Sequence, residues 1–271
     1  MKTALTIAGS DSSGGAGIQA DIKTFQALGV FGMSAVTAVT VQNTRQVYAI
    51  QEISPAIVAG QIRCLFEDIE IHAVKIGMVA SIPLIEAVAR SLAQVRLPPV
   101  VLDPVMVSKS GCRLLDPEAQ AALVAHLFPL ATVVTPNLHE AEALTGRKIA
   151  TVEEMKSAAD DIRRLGAGKV VVKGGHLSGR AVDIVFDGHR WHALDQARIA
   201  SRNTHGTGCT FSAAIAAHLA RGADFIEAVK RAKAYVAGAI AHGLPIGGGV
   251  GPTHHFFDLY ARAGFEGLGK K

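Results

Sequence analysis

The sequence predicts an α/β domain in which a mainly parallel sheet is covered by helices on both faces. Three observations carry this expectation. Short Val- and Ile-rich segments alternate with longer segments of helical character, as in strand–helix–strand crossovers. The composition, 49% hydrophobic but only 5% aromatic, suits branched strands buried under Ala-rich helices. Glycines and polar residues of chemical interest gather where strands end, and ligands of such sheets bind at the carboxyl ends of the strands.

The elements follow in order. Leu5–Ala8 reads as a buried strand running into the glycine- and serine-rich loop Gly9–Gly17, then a helix to about Leu28, ended by Gly29. Ser34–Val41 and Val47–Ile53 read as extended. Ser54-Pro55 supplies an N-cap and first-turn proline for a helix through Glu67. Val74–Ile76 is a short strand, Pro83–Val95 a helix, and Val100–Asp103 a strand ending on a carboxylate and Pro104. A loop covers Val105–Leu115, and Asp116-Pro117 opens another helix. Thr132–Thr135 is a strand. Pro136-Asn137 then caps a helix carrying Glu140 and Glu142. Val152–Leu165 is an amphipathic helix, and Lys169–Lys173 a strand ending at Gly174-Gly175-His176. Ala181–Arg198 reads as a hairpin turning at Asp187-Gly188. After the loop Asn203–Gly208 come two Ala-rich helices, Cys209–Arg221 and Phe225–His242. No repeat, low-complexity tract or dividing linker interrupts the series, so one domain over residues 1–271 is expected.

Composition narrows the function classes. The net charge is +4, without a basic stripe interleaved with aromatics, which argues against nucleic acid as a partner. Cys64, Cys112 and Cys209 are odd in number and widely spaced, so neither a disulfide framework nor a zinc site is expected. The apolar run Ala4–Ala8 is too short for a signal-peptide core, and no apolar run is long enough to span a bilayer. A cytoplasmic protein in a reducing compartment, without membrane contact, is the expectation.

The strongest chemical signal is Asn203-Thr204-His205-Gly206-Thr207-Gly208-Cys209-Thr210. Its glycines let backbone amides approach an anion, and the helix that follows offers unpaired N–H donors and a partial positive charge. Developing phosphoryl charge would be stabilised there. A cysteine in that first turn is expected to have a lowered thiol pKa and can accept the proton of an attacking hydroxyl. Locally, the same residues also read as a plain helix cap with a structural cysteine. This is not a Walker A loop, because no Gly-Lys-Ser/Thr follows. Gly15-x-Gly17 lacks the third glycine of a dinucleotide fingerprint, which counts against a nicotinamide oxidoreductase. Asp103, Asn137, Glu140 and Glu142 are oxygen donors suited to Mg²⁺ held partly through water, although the two glutamates also read as favourable charge at a helix start. Lys173, a charge ending an apolar strand, suggests a phosphate contact. His176, His205 and the pair His254-His255 read as loop or cap residues, and Cys64 and Cys112 as buried small hydrophobes.

The ensemble resembles the hydroxymethylpyrimidine/phosphomethylpyrimidine kinases of thiamine biosynthesis, in the ribokinase-like superfamily. It is carried by Thr6–Asp21, Val41-Gln42-Asn43-Thr44, Lys75-Ile76-Gly77-Met78, Asp103-Pro104-Val105-Met106, Thr135–Glu142, Val172–His176 and Gly206-Thr207-Gly208-Cys209, in order from Thr6 to about Tyr260. The resemblance implies a ribokinase-like three-layer α/β/α sandwich with a short flap over the site. It implies ATP with Mg²⁺, a monovalent cation being left open. It also implies successive phosphorylation of hydroxymethylpyrimidine to its monophosphate and diphosphate, in a homodimer. By the same resemblance Gly9, Asp21, Gln42, Met78 and Val105 hold the pyrimidine, and Cys209 is the base. Gly206, Thr207 and Gly208 form the anion hole. Lys173, Asn137 and Thr207 contact the nucleotide, and Asp103, Glu140 and Glu142 organise the metal. The amide of Gln42 suits the aminopyrimidine edge, and the thioether of Met78 a ring face. The alternatives are a pyridoxal kinase of the cysteine-containing branch, with Ser108 at its flap-cysteine position and Cys112 four residues on, and a non-catalytic vitamin- or nucleotide-binding regulator. The retained base and glycines count against the regulator.

Overall fold

The computed structural model describes residues 1–107, 111–116, 118–175 and 181–265. The calls on Ser108, Pro117 and His176 therefore lie outside the described residues.

Among the described residues one nine-stranded sheet runs in the order β3-β2-β1-β4-β5-β6-β7-β8-β9. The strands are β1 (Lys2–Ser10), β2 (Val30–Gln42), β3 (Val47–Glu52), β4 (Ala73–Ile76), β5 (Val100–Leu102), β6 (Val133–Val134), β7 (Val170–Val172), β8 (Ala181–Phe186) and β9 (Trp191–Gln196). From β2 to β7 neighbouring strands are parallel, and β3, β8 and β9 add antiparallel edges. The expected α/β architecture is present.

Period-two alternation sends each strand's side chains into two cores. Leu5, Ile7, Val74, Ile76, Leu102 and Val134 pack under one helical layer. That layer contains α2 (Pro55–Asp68), α3 (Ile82–Ala93), α4 (Ala119–Leu127), α5 (Leu138–Thr145) and α6 (Val152–Arg164). Ala4, Ala73, Val101, Val133 and Val171 pack under the other, formed by α1 (Gly17–Ala27), α7 (Thr207–Ala220) and α8 (Phe225–Ala241). The alanines of α7 let it lie close against β1, β4 and β5. A short α9 (Phe257–Arg262) follows. Among the described residues no helix is long and apolar enough to cross a membrane.

Two features position the site. β1 has β2 on one side and β4 on the other, so successive crossovers leave in opposite directions and open a crevice at the carboxyl ends. The chain after β5 then folds back on itself through a bridge between Val107 and Arg113, with Leu114 N–H donating to the Met106 carbonyl. This is the place expected for the flap. Some boundaries differ from expectation: β1 and β2 are longer, β6 has only two residues, and α4 begins at Ala119. Ser54 stands at the N-cap of α2 without a side-chain capping bond.

Candidate active site

A cavity of about 1050 Å³ opens along the carboxyl edge of the sheet. The start of α7 forms part of its wall. Gly206 has φ +78°, and a Cβ there would lie 1.7 Å from the Gly15 carbonyl oxygen, so only glycine lets this loop pack on the loop after β1. Thr207, Gly208 and Cys209 border the cavity as the first turn of α7, where amides have no partner within the helix.

The two loops are tied by Asp11. Its Oδ2 lies 2.7 Å from His205 Nε2 and accepts from Ala16 N–H, while its Oδ1 accepts from Ser13 N–H and Oγ–H. Burial opposes ionisation, but the bonds from His205 and Ser13 hold the Asp11 carboxyl down at about 2. His205 is thus a buried fastener. His255 meets Thr210 and His254 accepts from Phe256 N–H, so those histidines are also structural.

Lys173 projects from the end of β7, and its Nζ lies 2.9 Å from Asp103 Oδ1. Thr135 and Ser212 also bond Asp103. Burial opposes both charges, yet each partner stabilises the other: Asp103 is held low and Lys173 high. Asn137 and Glu140 form a capping box, with Asn137 N–H donating to Glu140 Oε2 at 2.7 Å and Glu140 N–H to Asn137 Oδ1 at 2.9 Å. Burial, with Asp103 adding, pushes the Glu140 carboxyl up to about 7 against Lys173 and the amides of Asn137 and Met106.

Gly9, Gln42, Met78 and Val105 border the same cavity. Thr40 Oγ1 donates to Gln42 Oε1 at 3.2 Å. The Met78 sulfur would lie 3.1 Å from a Cβ at Gly9, so the glycine makes room for the thioether.

Three sequence-based expectations are corrected. Asp21 does not border the cavity: it is fully buried, its Oδ2 taken by Lys75 Nζ at 2.8 Å and Thr6 Oγ1 at 2.6 Å. Glu142 turns away and accepts from Ile149 N–H and Lys148. Two residues apart on a helix, Glu140 and Glu142 face different sides. The Cys209 thiol is not lowered. Burial pushes it up to about 11, and Lys75 opposes this without prevailing. Sequence reasoning also missed Lys75 and Asp11. A lysine inside the apolar strand Ala73–Ile76 was the available signal for the first, and the second carries none.

Among the described residues no group of three His, Cys, Asp or Glu side chains could hold a metal alone. Asp103 and Glu140, which both border the cavity, do fit Mg²⁺ that arrives with a nucleotide, since that ion is held by one or two carboxylates plus substrate phosphates and water.

The family model for phosphomethylpyrimidine kinase matches residues 11–254. The chain belongs to the phosphomethylpyrimidine kinase family. A hydroxymethylpyrimidine/phosphomethylpyrimidine kinase of Rhizobium meliloti is 56% identical over 93% of this chain and 96% of its own. The crystal structure of phosphomethylpyrimidine kinase from Clostridium difficile matches with TM-score 0.80 and 47% identity, over 89% of this chain and 100% of that one. An ADP complex of Bacillus subtilis pyridoxal kinase matches with TM-score 0.88 and 44% identity, over 94% of this chain and 97% of that one. These neighbours share the ribokinase-like fold, so this phosphomethylpyrimidine kinase family member has the fold the sequence resemblance implied.

Proposed function

We propose that this chain, a single domain over residues 1–271, transfers the γ-phosphoryl group of ATP to the hydroxymethyl oxygen of 4-amino-5-hydroxymethyl-2-methylpyrimidine. A second transfer, to the monophosphate, gives the diphosphate used in thiamine diphosphate biosynthesis. The observation that carries this is one cavity whose wall holds Gln42, Met78 and Val105 together with Lys173 and the first turn of α7, Cys209 included. The family match and the kinase relatives support the chemistry, and the ADP-bound neighbour supports the nucleotide.

In the first transfer the hydroxymethyl oxygen attacks the γ-phosphorus, the bond to ADP breaks, and Cys209 takes the hydroxyl proton. A thiol near 11 is mostly protonated at neutral pH, so the working form is a minor but strongly basic thiolate. The amides of Gly206, Thr207 and Gly208 and the ammonium of Lys173 hold the developing phosphoryl charge. Asn137 and Thr207, which border the same cavity, would contact the nucleotide. Asp103 and Glu140 would hold Mg²⁺, which when bound neutralises phosphate charge. The second transfer has a phosphate acceptor and needs no base.

The reading extends to a cytoplasmic homodimer. Val39, Val41 and Tyr48 leave an exposed apolar face on the β2–β3 edge that a second copy would cover. Pyridoxal kinase is the second reading, because of the Bacillus subtilis neighbour. Cys112 lies in the folded-back segment after β5, where its sulfur lies 3.6 Å from the Arg113 carbonyl. The deciding experiment offers the pyrimidine and pyridoxal separately with ATP and Mg²⁺ and resolves mono- from diphosphate. Pyrimidine diphosphate with slow pyridoxal turnover supports the proposal; fast pyridoxal phosphate formation with little pyrimidine product overturns it.

A further inference from the structure

Ser10 ends β1 and borders the cavity. Its Oγ accepts from Gln19 Nε2 at 2.8 Å, and Gln19 Oε1 accepts from the Asp11 backbone N–H at 2.9 Å. A backbone N–H can only donate, so it fixes which end of the Gln19 amide is oxygen and leaves the amide nitrogen facing Ser10. The chain of bonds therefore has one polarity. The Ser10 hydroxyl receives a proton from Gln19 and keeps its own to give, and among the described residues no protein group takes that proton. Its neighbours differ: the hydroxyls of Ser12, Ser13 and Thr40 all donate within the protein. The Ser10 carbonyl accepts from Thr40 Oγ1 at 2.8 Å, and Thr40 Oγ1 lies 3.2 Å from Gln42 Oε1. A donor without a protein acceptor thus stands next to the candidate reader of the heterocycle, on the wall of the same cavity.

We propose that Ser10 is a substrate-binding residue that donates to a ring nitrogen of the heterocycle, and that Gln19 is the positioning residue that keeps its hydroxyl proton free for the ligand. This deepens the reading of the substrate as an aminopyrimidine and rests on it. An aminopyrimidine presents an amine and two ring nitrogens with lone pairs. One side-chain amide, that of Gln42, can take the amine with its oxygen and one ring nitrogen with its N–H. The second ring nitrogen then needs another donor. Leaving such an acceptor unpaired in a binding site costs more than the bond itself gains, so a donor already turned to it confers selectivity.

The test compares the pyrimidine with its two aminopyridine analogues, in each of which one ring nitrogen is replaced by CH, using the whole protein with ATP and Mg²⁺. With the pyrimidine, Ser10→Ala should raise KM roughly tenfold and leave the KM for ATP unchanged. One analogue should show that loss already in the wild type, and Ser10→Ala should add nothing to it; the other analogue should remain sensitive. Gln19→Glu keeps an acceptor for the Asp11 N–H but has no proton for Ser10, so the hydroxyl turns back to the carboxylate. It should reproduce the pattern of Ser10→Ala, and the double variant should be no worse than either single one. Loosening of the loop would instead weaken all three substrates alike and raise the KM for ATP, and that result overturns the proposal. So does an unchanged pyrimidine KM in Ser10→Ala. A harmless Gln19→Glu beside a harmful Ser10→Ala removes the positioning role of Gln19. Should Ser10→Ala fail to fold, Gln19→Glu decides by the same pattern across the two analogues. If the wild type phosphorylates none of the three compounds, the functional reading itself falls and this inference with it, whereas an active wild type with an indifferent Ser10→Ala overturns this inference alone.

Discussion

Lys173 Nζ lies 2.9 Å from Asp103 Oδ1, and the pair sits above the first turn of α7, where a Cβ at Gly208 would be 3.6 Å from the ammonium and 3.7 Å from the carboxylate. The ends of β5 and β7 therefore place opposite charges beside the α7 amides. In Lys173→Met a charge-assisted contact to phosphate is lost, and KM for ATP should rise about 10- to 100-fold. Asp103 is also left buried without its cation, so the variant should melt earlier. An ATP titration of the folded variant checks the first effect, and an unchanged KM would remove Lys173 from the nucleotide site.

Cys209 gives a pH signature. With the thiol near 11, each unit of pH above neutrality raises the thiolate fraction about tenfold, so log kcat for the first phosphorylation should climb with a slope near one. Cys209→Ala should lower turnover by about 10²-fold or more, flatten this profile and leave ATP binding intact. Near-normal turnover in the variant, or a flat wild-type profile, would refute the base assignment.

Gln42 is the candidate reader of the heterocycle. Its amide can donate and accept at once, and its Oε1 lies 3.2 Å from Thr40 Oγ1. Gln42→Met should cost pyrimidine turnover roughly 10- to 100-fold while pyridoxal turnover changes little. A fixed ratio of the two turnovers in the variant would mean that selectivity lies elsewhere.

Much of this was legible in the sequence because strand ends and glycine-rich loops are local signals. The order of elements and the cap at Asn137 could be read directly, and so could the need for glycine at 206. The misreadings came from long-range terms. Nothing near Asp21 announces Lys75, which lies 54 residues on. The α7 N-terminus argued for a lowered Cys209 pKa, but burial and two aspartates from other elements outweigh it. Glu142 was grouped with Glu140 by proximity in sequence, where helical geometry separates them.

Glu140 links pH to stability. Its carboxyl is raised from the ordinary 4.5 to about 7, so between those values the folded state holds a proton that the unfolded chain has released. This contribution is present in acid and is lost as pH rises toward neutrality, by on the order of 1–3 kcal/mol. Glu140→Gln removes the titration. Urea midpoints at about pH 5 and pH 8 should therefore fall more steeply with pH for the wild type than for the variant. Parallel pH dependences would show that Glu140 titrates normally.

Gly206 and Gly222 offer a matched pair of substitutions. Both adopt left-handed backbone, with φ +78° and +86°, so alanine at either strains the chain by about 1–2 kcal/mol. They differ in what a Cβ meets. At Gly222 nothing lies within 4 Å, whereas at Gly206 the Gly15 carbonyl oxygen lies 1.7 Å away. Gly222→Ala should thus lower the melting temperature modestly and leave turnover unchanged. Gly206→Ala must push apart the loops that Asp11 and His205 join, displacing the first amides of α7. Since a misplacement of about 1 Å can cost roughly 10²-fold, its turnover should collapse by at least that factor even where the variant remains folded. Equal effects of the two substitutions on turnover would mean that the loop's contact with Gly15 does not hold the anion site in place.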